Sequence, residues 1–314
     1  MKASYLISYG QPGSLQYGEM PEPVLKEHSL LVQVKAVSVN PVDWKIRQGV
    51  LKLIQGSRFP RIIGSDFAGI VKEVAPGKYG FKAGDRVYGA IPAFSGKTGA
   101  LAEIANVDQK NVRAMPEWLS FEEAASLPIA ALTALNGLRR CGVGMGTRVL
   151  VNGATGGVGH FGVQAAKAKG ALITATCSAG NTELARDLGA DEVFWYSREN
   201  TIGPGIQFDA ILDAWGMMKH KEIHRLLKPE GVYASPLYMP WTIFPASWVR
   251  IRYGRKMTSS NVRKRSEDYD ELEALIEQKK LKPVIENVYP LEKSSEAFDK
   301  AEFGKPRGKV IITV

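Results

Sequence analysis

The sequence predicts an α/β fold: a doubly wound parallel sheet joined to a β-rich domain that the chain leaves and later re-enters. Three observations predict it. A glycine-dense turn lies between a short apolar strand and a helix at 149–162 (VLVNGATGGVGHFG). Strand and helix periods then alternate, which argues a parallel sheet with helices on both faces. Before residue 121 the chain instead shows short strands with glycine and proline punctuation, and strand–helix–strand character returns at 283–314.

The elements follow in order. The N-terminus (MKASYLIS) has no signal-peptide pattern and reads as a strand. Residues 30–39 and 68–74 are strands, the second running into turn chemistry at 75–77, and 84–89 is a turn entering a third strand. Residues 121–140 read as one helix, with Ser120 as N-cap and Glu122 and Glu123 in the first turn. Strands are expected at 148–152, 172–176, 192–195, 208–213 and 231–234, and helices at 157–169, 182–188, 219–227 and 266–280. The domains expected are 1–122, 123–264, and 265–314 returning to the first.

At 314 residues the chain is long for one core and suits two domains. Its 45% hydrophobic and 23% charged content describes a soluble globular protein, and no apolar run approaches the ~20 residues that span a bilayer. The two cysteines, Cys141 and Cys177, are too few for a disulfide framework or a four-thiolate metal site. They read as buried small residues in a reducing compartment, and the location expected is cytoplasmic. The net charge is +9, and Arg250, Arg252, Arg255, Lys256, Arg263, Lys264 and Arg265 supply seven positive charges with no acid among them. Subtracting those seven from +9 leaves +2 on the rest. The stretch reads as a solvated surface or as a contact for an anionic membrane. No nucleic-acid-binding motif accompanies it.

Glycines at 153, 156, 157 and 159 let backbone amides approach an anion, and the helix N-terminus that follows favours negative charge. In this strand–turn–helix–strand setting the turn reads as a dinucleotide site. An NAD site closes its second strand with an acid that holds the ribose 2′-hydroxyl. Here that place holds CSAGN at 177–181, with no carboxylate before Glu183. An acid would repel a 2′-phosphate, whereas a hydroxyl and an amide can donate to it, so the sequence favours NADPH. Ser178 and Asn181 can equally cap the helix beginning near Thr182, and both readings can hold together.

Several segments in fixed order carry a resemblance: NPVD at 40–43, GSDFAG at 64–69, GDRVYG at 84–89, LPIAALTA at 127–134, GATGGVG at 153–159, LGAD at 188–191 and GKVIITV at 308–314. Over essentially the whole chain they resemble the medium-chain dehydrogenase/reductase superfamily, and within it the zinc-independent quinone oxidoreductases of the zeta-crystallin-like branch. SVNPVDWKI at 38–46 and TCSAGN at 176–181 resemble most the chloroplast-envelope quinone-oxidoreductase-like proteins. The resemblance implies a GroES-like catalytic domain, a Rossmann domain, NADPH in a cleft between them, and a homodimer. It implies that Thr133 reaches the nicotinamide side. Ala154, Thr155, Gly156, Gly157 and Val158 would hold the pyrophosphate. Ser178, Asn181 and Tyr196 would surround the 2′-phosphate, Ser235 and Leu237 would lie near the nicotinamide, and Lys309 would close the far edge. Relatives often carry a basic residue near Gly180 or after the tyrosine, where this chain has Gly180 and Ser197, with Arg198 one residue later.

Zinc-dependent members carry Cys and Gly-His-Glu where this chain has Asn40 and Gly64-Ser65-Asp66. Zinc prefers Cys, His and carboxylate ligands, and His28, His160, His220 and His224 do not cluster with Asp66, so the sequence reads as metal-free. Without a Lewis acid, conjugate addition of hydride to a quinone or enone is easier than reduction of an isolated carbonyl. Asn40 is the candidate to orient substrate or nicotinamide ribose, or else it caps the Asn-Pro turn. Asp43 is a second candidate, as an acid or as a cap. No residue stands out as the proton donor. The aromatic segment 238–248 (YMPWTIFPASW), with Trp241, can line an apolar substrate pocket with Trp44 and Phe94, or pack at a subunit or domain seam. The reading is an NADPH-dependent reductase of a small hydrophobic quinone or α,β-unsaturated carbonyl. The alternative is a non-catalytic NADPH-binding sensor or scaffold with a basic docking arm.

Overall fold

The computed structural model describes residues 1–10, 13–77, 79–92, 99–196, 202–236, 256–260 and 266–314. The expected pocket residues Phe94 and Trp241, the cofactor residue Leu237, and all of the basic stretch except Lys256 lie outside them. The chain divides into two compact units, residues 1–129 with 285–314 and residues 130–284.

The first unit is β-rich. It holds β1 (Lys2–Leu6), β2 (Leu15–Glu19), β3 (Ser29–Ser38), the helices α1 (Pro41–Arg47) and α2 (Lys52–Gln55), β4 (Arg61–Ile62), β5 (Asp66–Val74), β6 (Arg86–Ala90), β7 (Ile104–Asp108) and β8 (Val112–Ala114). The short helix α3 (Phe121–Ser126) follows, and α4 (Pro128–Arg140) then leads out of this unit. A three-stranded sheet runs β2-β1-β4. The larger sheet is completed from the other end of the chain, as the strand–helix–strand pattern of the last residues predicts. With β15 (Ile285–Pro290) and β16 (Lys309–Thr313), its order is β15-β16-β3-β5-β6-β8, with β7 also on β3. The strand Lys309–Thr313 (β16) runs antiparallel to β3, with Ile311 opposite Ser38, while β5 sets Asp66 opposite the same Ser38. β3 is buried over nearly its whole length because it pairs with β5, β7 and β16. Val32, Val34, Val37, Phe67, Val71, Val87, Val310 and Ile312 fill the core.

The second unit is a Rossmann sheet. Its strands are β9 (Arg148–Asn152), β10 (Leu172–Cys177), β11 (Glu192–Trp195), β12 (Phe208–Asp213), β13 (Leu227–Ser235) and β14 (Lys256–Ser259), all parallel in the order β11-β10-β9-β12-β13-β14. The helices α5 (Gly159–Ala168), α6 (Thr182–Asp187) and α7 (His220–Leu226) connect them. Leu150, Phe208, Ile211, Ile223, Leu226 and Leu227 form its core.

Two expectations shift. The single helix at 121–140 is two helices, because Pro128 has no N–H to continue the first and serves well as the start of the second. Ser120 does cap α3, its hydroxyl accepting from the Glu123 amide at 3.1 Å while the Glu123 carboxylate accepts from the Ser120 amide at 3.0 Å. The boundaries expected at 122/123 and 264/265 move to 129/130 and 284/285. The residues before the second boundary belong with the second unit: the helix Ser266–Glu277 buries Leu272 and Ile276, Asp268 pairs with Arg139 of α4, Glu271 pairs with Lys169 after α5, and Lys282 bonds Gln164 of α5. No helix among the described residues is long and apolar enough to cross a membrane.

Candidate functional site

In the second unit the chain reverses its direction of travel across the sheet at β9. From β9 the order runs one way to β10 and β11, and the other way to β12, β13 and β14. Ligands of such sheets bind outside the carboxyl ends of the strands at this reversal. Here those ends are tied together. Asn152, the last residue of β9, donates through Nδ2 to Oδ1 of Asp213, the last residue of β12, at 2.7 Å. Thr176 of β10 donates its hydroxyl to Asn152 Oδ1 at 2.6 Å, and Tyr233 of β13 donates to Asp213 Oδ2 at 2.8 Å. Asp213 is fully buried and also accepts the amides of Gly216 at 2.9 Å and Met218 at 3.0 Å.

The glycine turn sits on this edge. Gly153 takes φ +77°, which its lack of a side chain permits. The amides of Gly153 and Ala154 both donate to Thr176 O, at 3.1 and 2.9 Å, and Gly156 N donates to Gly153 O at 3.1 Å. The amides of Thr155, Gly157, Val158 and Gly159 have no hydrogen-bond partner among the described residues, and they open α5. Together with the helix dipole they form a cradle suited to a pyrophosphate. At Gly159 a Cβ would lie 2.0 Å from Gly153 O, so the close approach that requires glycine here is within the turn itself.

The expected cofactor residues at 154–158, Ser178, Asn181 and Tyr196 all fall at the carboxyl edge of β9, β10 and β11. Ser178 and Asn181 do not cap: neither side chain bonds a helix amide, and Asn181 Nδ2 donates instead to Thr155 Oγ1 at 3.2 Å. The Tyr196 hydroxyl lies 3.5 Å from Asn152 Oδ1 and from Thr176 O, and its ring centroid lies 6.0 Å from that of Trp215. Ser235 ends β13 and Thr133 lies on α4, both buried. Both cysteines are buried, and burial pushes the Cys141 thiol up to about 12. This suits a packing role rather than a nucleophile.

Lys309 belongs to the first unit. It starts β16 in the first unit, and the pairing of β16 and β5 on either side of β3 brings it to Asn40 and Asp66. Its Nζ donates to Asn40 Oδ1 at 2.6 Å and to Val39 O at 3.3 Å. Asn40 Nδ2 donates to Asp66 Oδ2 at 2.8 Å and to Ser38 O at 3.1 Å. Asp66 also accepts the Ile129 amide at 3.2 Å. Asp43 accepts the Asn40 amide at 2.8 Å and the Ser65 hydroxyl at 2.6 Å. Asp43 is therefore the N3 carboxylate of the capping box that opens α1 behind its N-cap Asn40, and the Asn40 side chain bridges a lysine and a carboxylate. With both Nδ2 hydrogens engaged, Asn40 keeps only acceptor capacity on Oδ1. Trp44, one residue past Asp43, packs on the first unit's core.

All five polar side chains of this cluster are buried. Burial raises the Asp43 carboxyl from the ordinary 3.8 to about 6, against the opposing pull of the Ser65 hydroxyl, the Asn40 amide and Lys309. Burial also raises Asp66 and lowers Lys309, each opposed by the charge of the other. The folded chain thus holds a proton on Asp43 at pH values where the unfolded chain has released it. Stability is expected to fall as pH rises from about 4 to about 6, by up to about 3 kcal/mol. Asp43→Asn should flatten that slope in thermal melts from pH 4 to 7, and an unchanged slope would show that Asp43 is not its source.

Comparison with known proteins agrees with this architecture. The family described as "Alcohol dehydrogenase GroES-like domain" matches residues 26–117, and that described as "Zinc-binding dehydrogenase" matches 188–312. The chloroplast envelope quinone oxidoreductase homolog of Arabidopsis thaliana is 33% identical over 324 residues, covering 99% of this chain and 98% of the relative. The chain belongs to the medium-chain dehydrogenase/reductase superfamily. A 2-methylene-furan-3-one reductase of Solanum lycopersicum is 35% identical to this dehydrogenase/reductase, covering 99% of the chain and 79% of the relative. The solved quinone oxidoreductase from Coxiella burnetii superposes with a TM-score of 0.90 at 30% identity, covering 100% and 99% of the two chains. This is a superfamily of oxidoreductases.

One matched description implies zinc, and the cluster around Asn40 does not fit it. Zinc needs thiolate, imidazole or carboxylate ligands closing a tetrahedron. Here an amide bonds one carboxylate and a hydroxyl the other, and a lysine ammonium already bonds the amide. Among the described residues no group of three or more His, Cys, Asp or Glu is placed to hold a metal.

Proposed function

We propose that the chain is an NADPH-dependent reductase that passes hydride to a quinone or to the β-carbon of an α,β-unsaturated carbonyl, without zinc. The observation that carries the choice of cofactor is the carboxyl end of β10. It presents the exposed Ser178, Ala179 and Gly180, with Asn181 beside Thr155 and no carboxylate, and Arg186 is near enough to pull the Cys177 thiol downward against burial. A 2′-phosphate meets donors there and no repulsion. The bound cofactor would supply the hydride. The unpartnered amides of the turn would hold its pyrophosphate, and the tied strand ends below would fix that cradle in place.

The choice of substrate rests on the donor set. A conjugated acceptor spreads the charge left by hydride over its own oxygen, so it needs orientation and hydrogen bonds rather than a metal. The relatives named for a quinone and for a methylene-furanone share that conjugated carbonyl chemistry. Asn40 can accept a hydrogen bond from a hydroxyl but has no N–H left for a substrate oxygen.

The test is NADPH consumption, with NADH in parallel, against quinones and short and long enones, with and without a chelator. Chelator-insensitive turnover that prefers NADPH supports the reading. Tight NADPH binding with no turnover on any acceptor would overturn the reductase and leave a binding protein. Ser178→Asp places a carboxylate where a 2′-phosphate would lie. It should lower kcat/KM for NADPH by about tenfold or more while sparing NADH, a loss of at least about 1.4 kcal/mol. Equal losses with both cofactors would remove Ser178 from that role.

A further inference from the structure

We propose that the Lys309 ammonium takes the place of a metal cation's charge in the first unit, balancing the buried carboxylates Asp66 and Asp43 and fixing the orientation of Asn40. The inference grows from the misfit to zinc. A cluster with two carboxylates buried around Asn40 needs a cation, and these residues cannot supply a tetrahedral ligand set. Among the described residues, Lys309 supplies that positive charge. It projects from β16 with its ammonium on Asn40 Oδ1 at 2.6 Å, one amide away from Asp66, which Asn40 Nδ2 reaches at 2.8 Å. From α1, Asp43 faces the same ammonium and adds to its electrostatic stabilisation.

The geometry also sets direction. A lysine has donors only, so it obliges Asn40 to turn its oxygen towards β16 and its nitrogen towards β5. An ionised Asp66 is the matching acceptor on the other side. Remove the ammonium and Asn40 Oδ1 loses its donor, leaving the amide held only through Nδ2 by Asp66 and Ser38 O, while Asp66 and Asp43 lose their counter-charge. Lys309 is therefore a positioning residue for Asn40, and it needs no metal to do it.

The role separates from simple packing by a paired substitution. Removing one partner of a buried charged pair leaves the other uncompensated, whereas neutralising both leaves nothing to compensate. Lys309→Met is expected to melt close to the parent at pH 5.5, where Asp66 and Asp43 can take up protons. At pH 8 it should melt lower by about 5 °C or more. Lys309→Met combined with Asp66→Asn should recover most of that loss at pH 8. With NADPH and the preferred acceptor, Lys309→Met is expected to lower kcat by about tenfold with KM for NADPH within about twofold, and the pair to restore part of kcat.

A pH-independent deficit in Lys309→Met, or a double variant no better than the single one, would overturn the proposal. Should Lys309→Met fail to fold at pH 8, a folded double variant supports the proposal and an unfolded one overturns it. The melting arm needs neither cofactor nor substrate. A parent protein that turns nothing over would refute the reductase reading while leaving this inference to be decided by the melts.

Discussion

Gly159→Ala is expected to abolish dinucleotide binding. An added Cβ would lie 2.0 Å from Gly153 O, 2.8 Å from Gly153 C and 2.9 Å from Ala154 C. All three are backbone atoms, so no flexible side chain can move aside. The turn must open by more than an ångström, and the unpartnered amides of Thr155, Gly157 and Val158 then no longer converge. Forced overpacking of this kind costs about 1–3 kcal/mol in stability, and more where only backbone can yield. The loss in affinity should be larger, about 100-fold or more for NADPH, because several charge-assisted hydrogen bonds fail together. Calorimetric titration with NADPH, beside a thermal melt, measures both. Binding within about threefold of the parent would show that the turn is not the pyrophosphate site.

Asp213→Ala should destabilise the second unit more than any other single polar change. Four donors converge on this buried carboxylate: Asn152 Nδ2, the Gly216 and Met218 amides, and the Tyr233 hydroxyl. Each buried donor left unpaired costs about 1–3 kcal/mol, so the total is expected near 4 kcal/mol or above. Asp213→Asn keeps one oxygen as acceptor and should cost about half as much. Denaturant unfolding of both variants tests this. A loss of less than about 1 kcal/mol for the alanine variant would mean that water replaces the carboxylate and that the strand ends are not tied through it.

How far such features could be read from the sequence depends on the range over which they are encoded. The glycine turn, the strand at 148–152 and the cap at Ser120 are local patterns, and the structure has each where the sequence places it. The rejoining of the C-terminal strand with the first unit was legible from the period of the last residues. The division of 121–140 was legible too, in Pro128, had its missing N–H been weighed against the helical period. The links that build the sites are of another kind. Asn152 and Asp213 are 61 residues apart, and Asn40 and Lys309 are 269 apart. Nothing local distinguishes Asp213 from any polar residue that ends a strand. Only the strand order makes it the neighbour of Asn152, and only the placement of β16 and β5 on either side of β3 carries Lys309 to Asn40. Lys309, expected at the edge of a cofactor site from the resemblance alone, bonds Asn40 in the first unit's buried cluster, a contact that no local pattern encodes. Trp215, beside the turn and opposite Tyr196, carried no signal in the sequence at all.

The tied strand ends bear on the thermodynamics of ligand binding. Thr176, Asn152, Asp213 and Tyr233 close a lateral run of hydrogen bonds across four parallel strands, each bond made between two side chains of the sheet itself. The floor of the crevice is therefore ordered before anything binds. A ligand that settles on it has little backbone motion left to freeze, so association loses little conformational entropy at the floor. The ordering that does occur must come from the rims, and the heat and entropy of binding should follow the loops that carry Ser178 and Trp215 far more than the sheet beneath them.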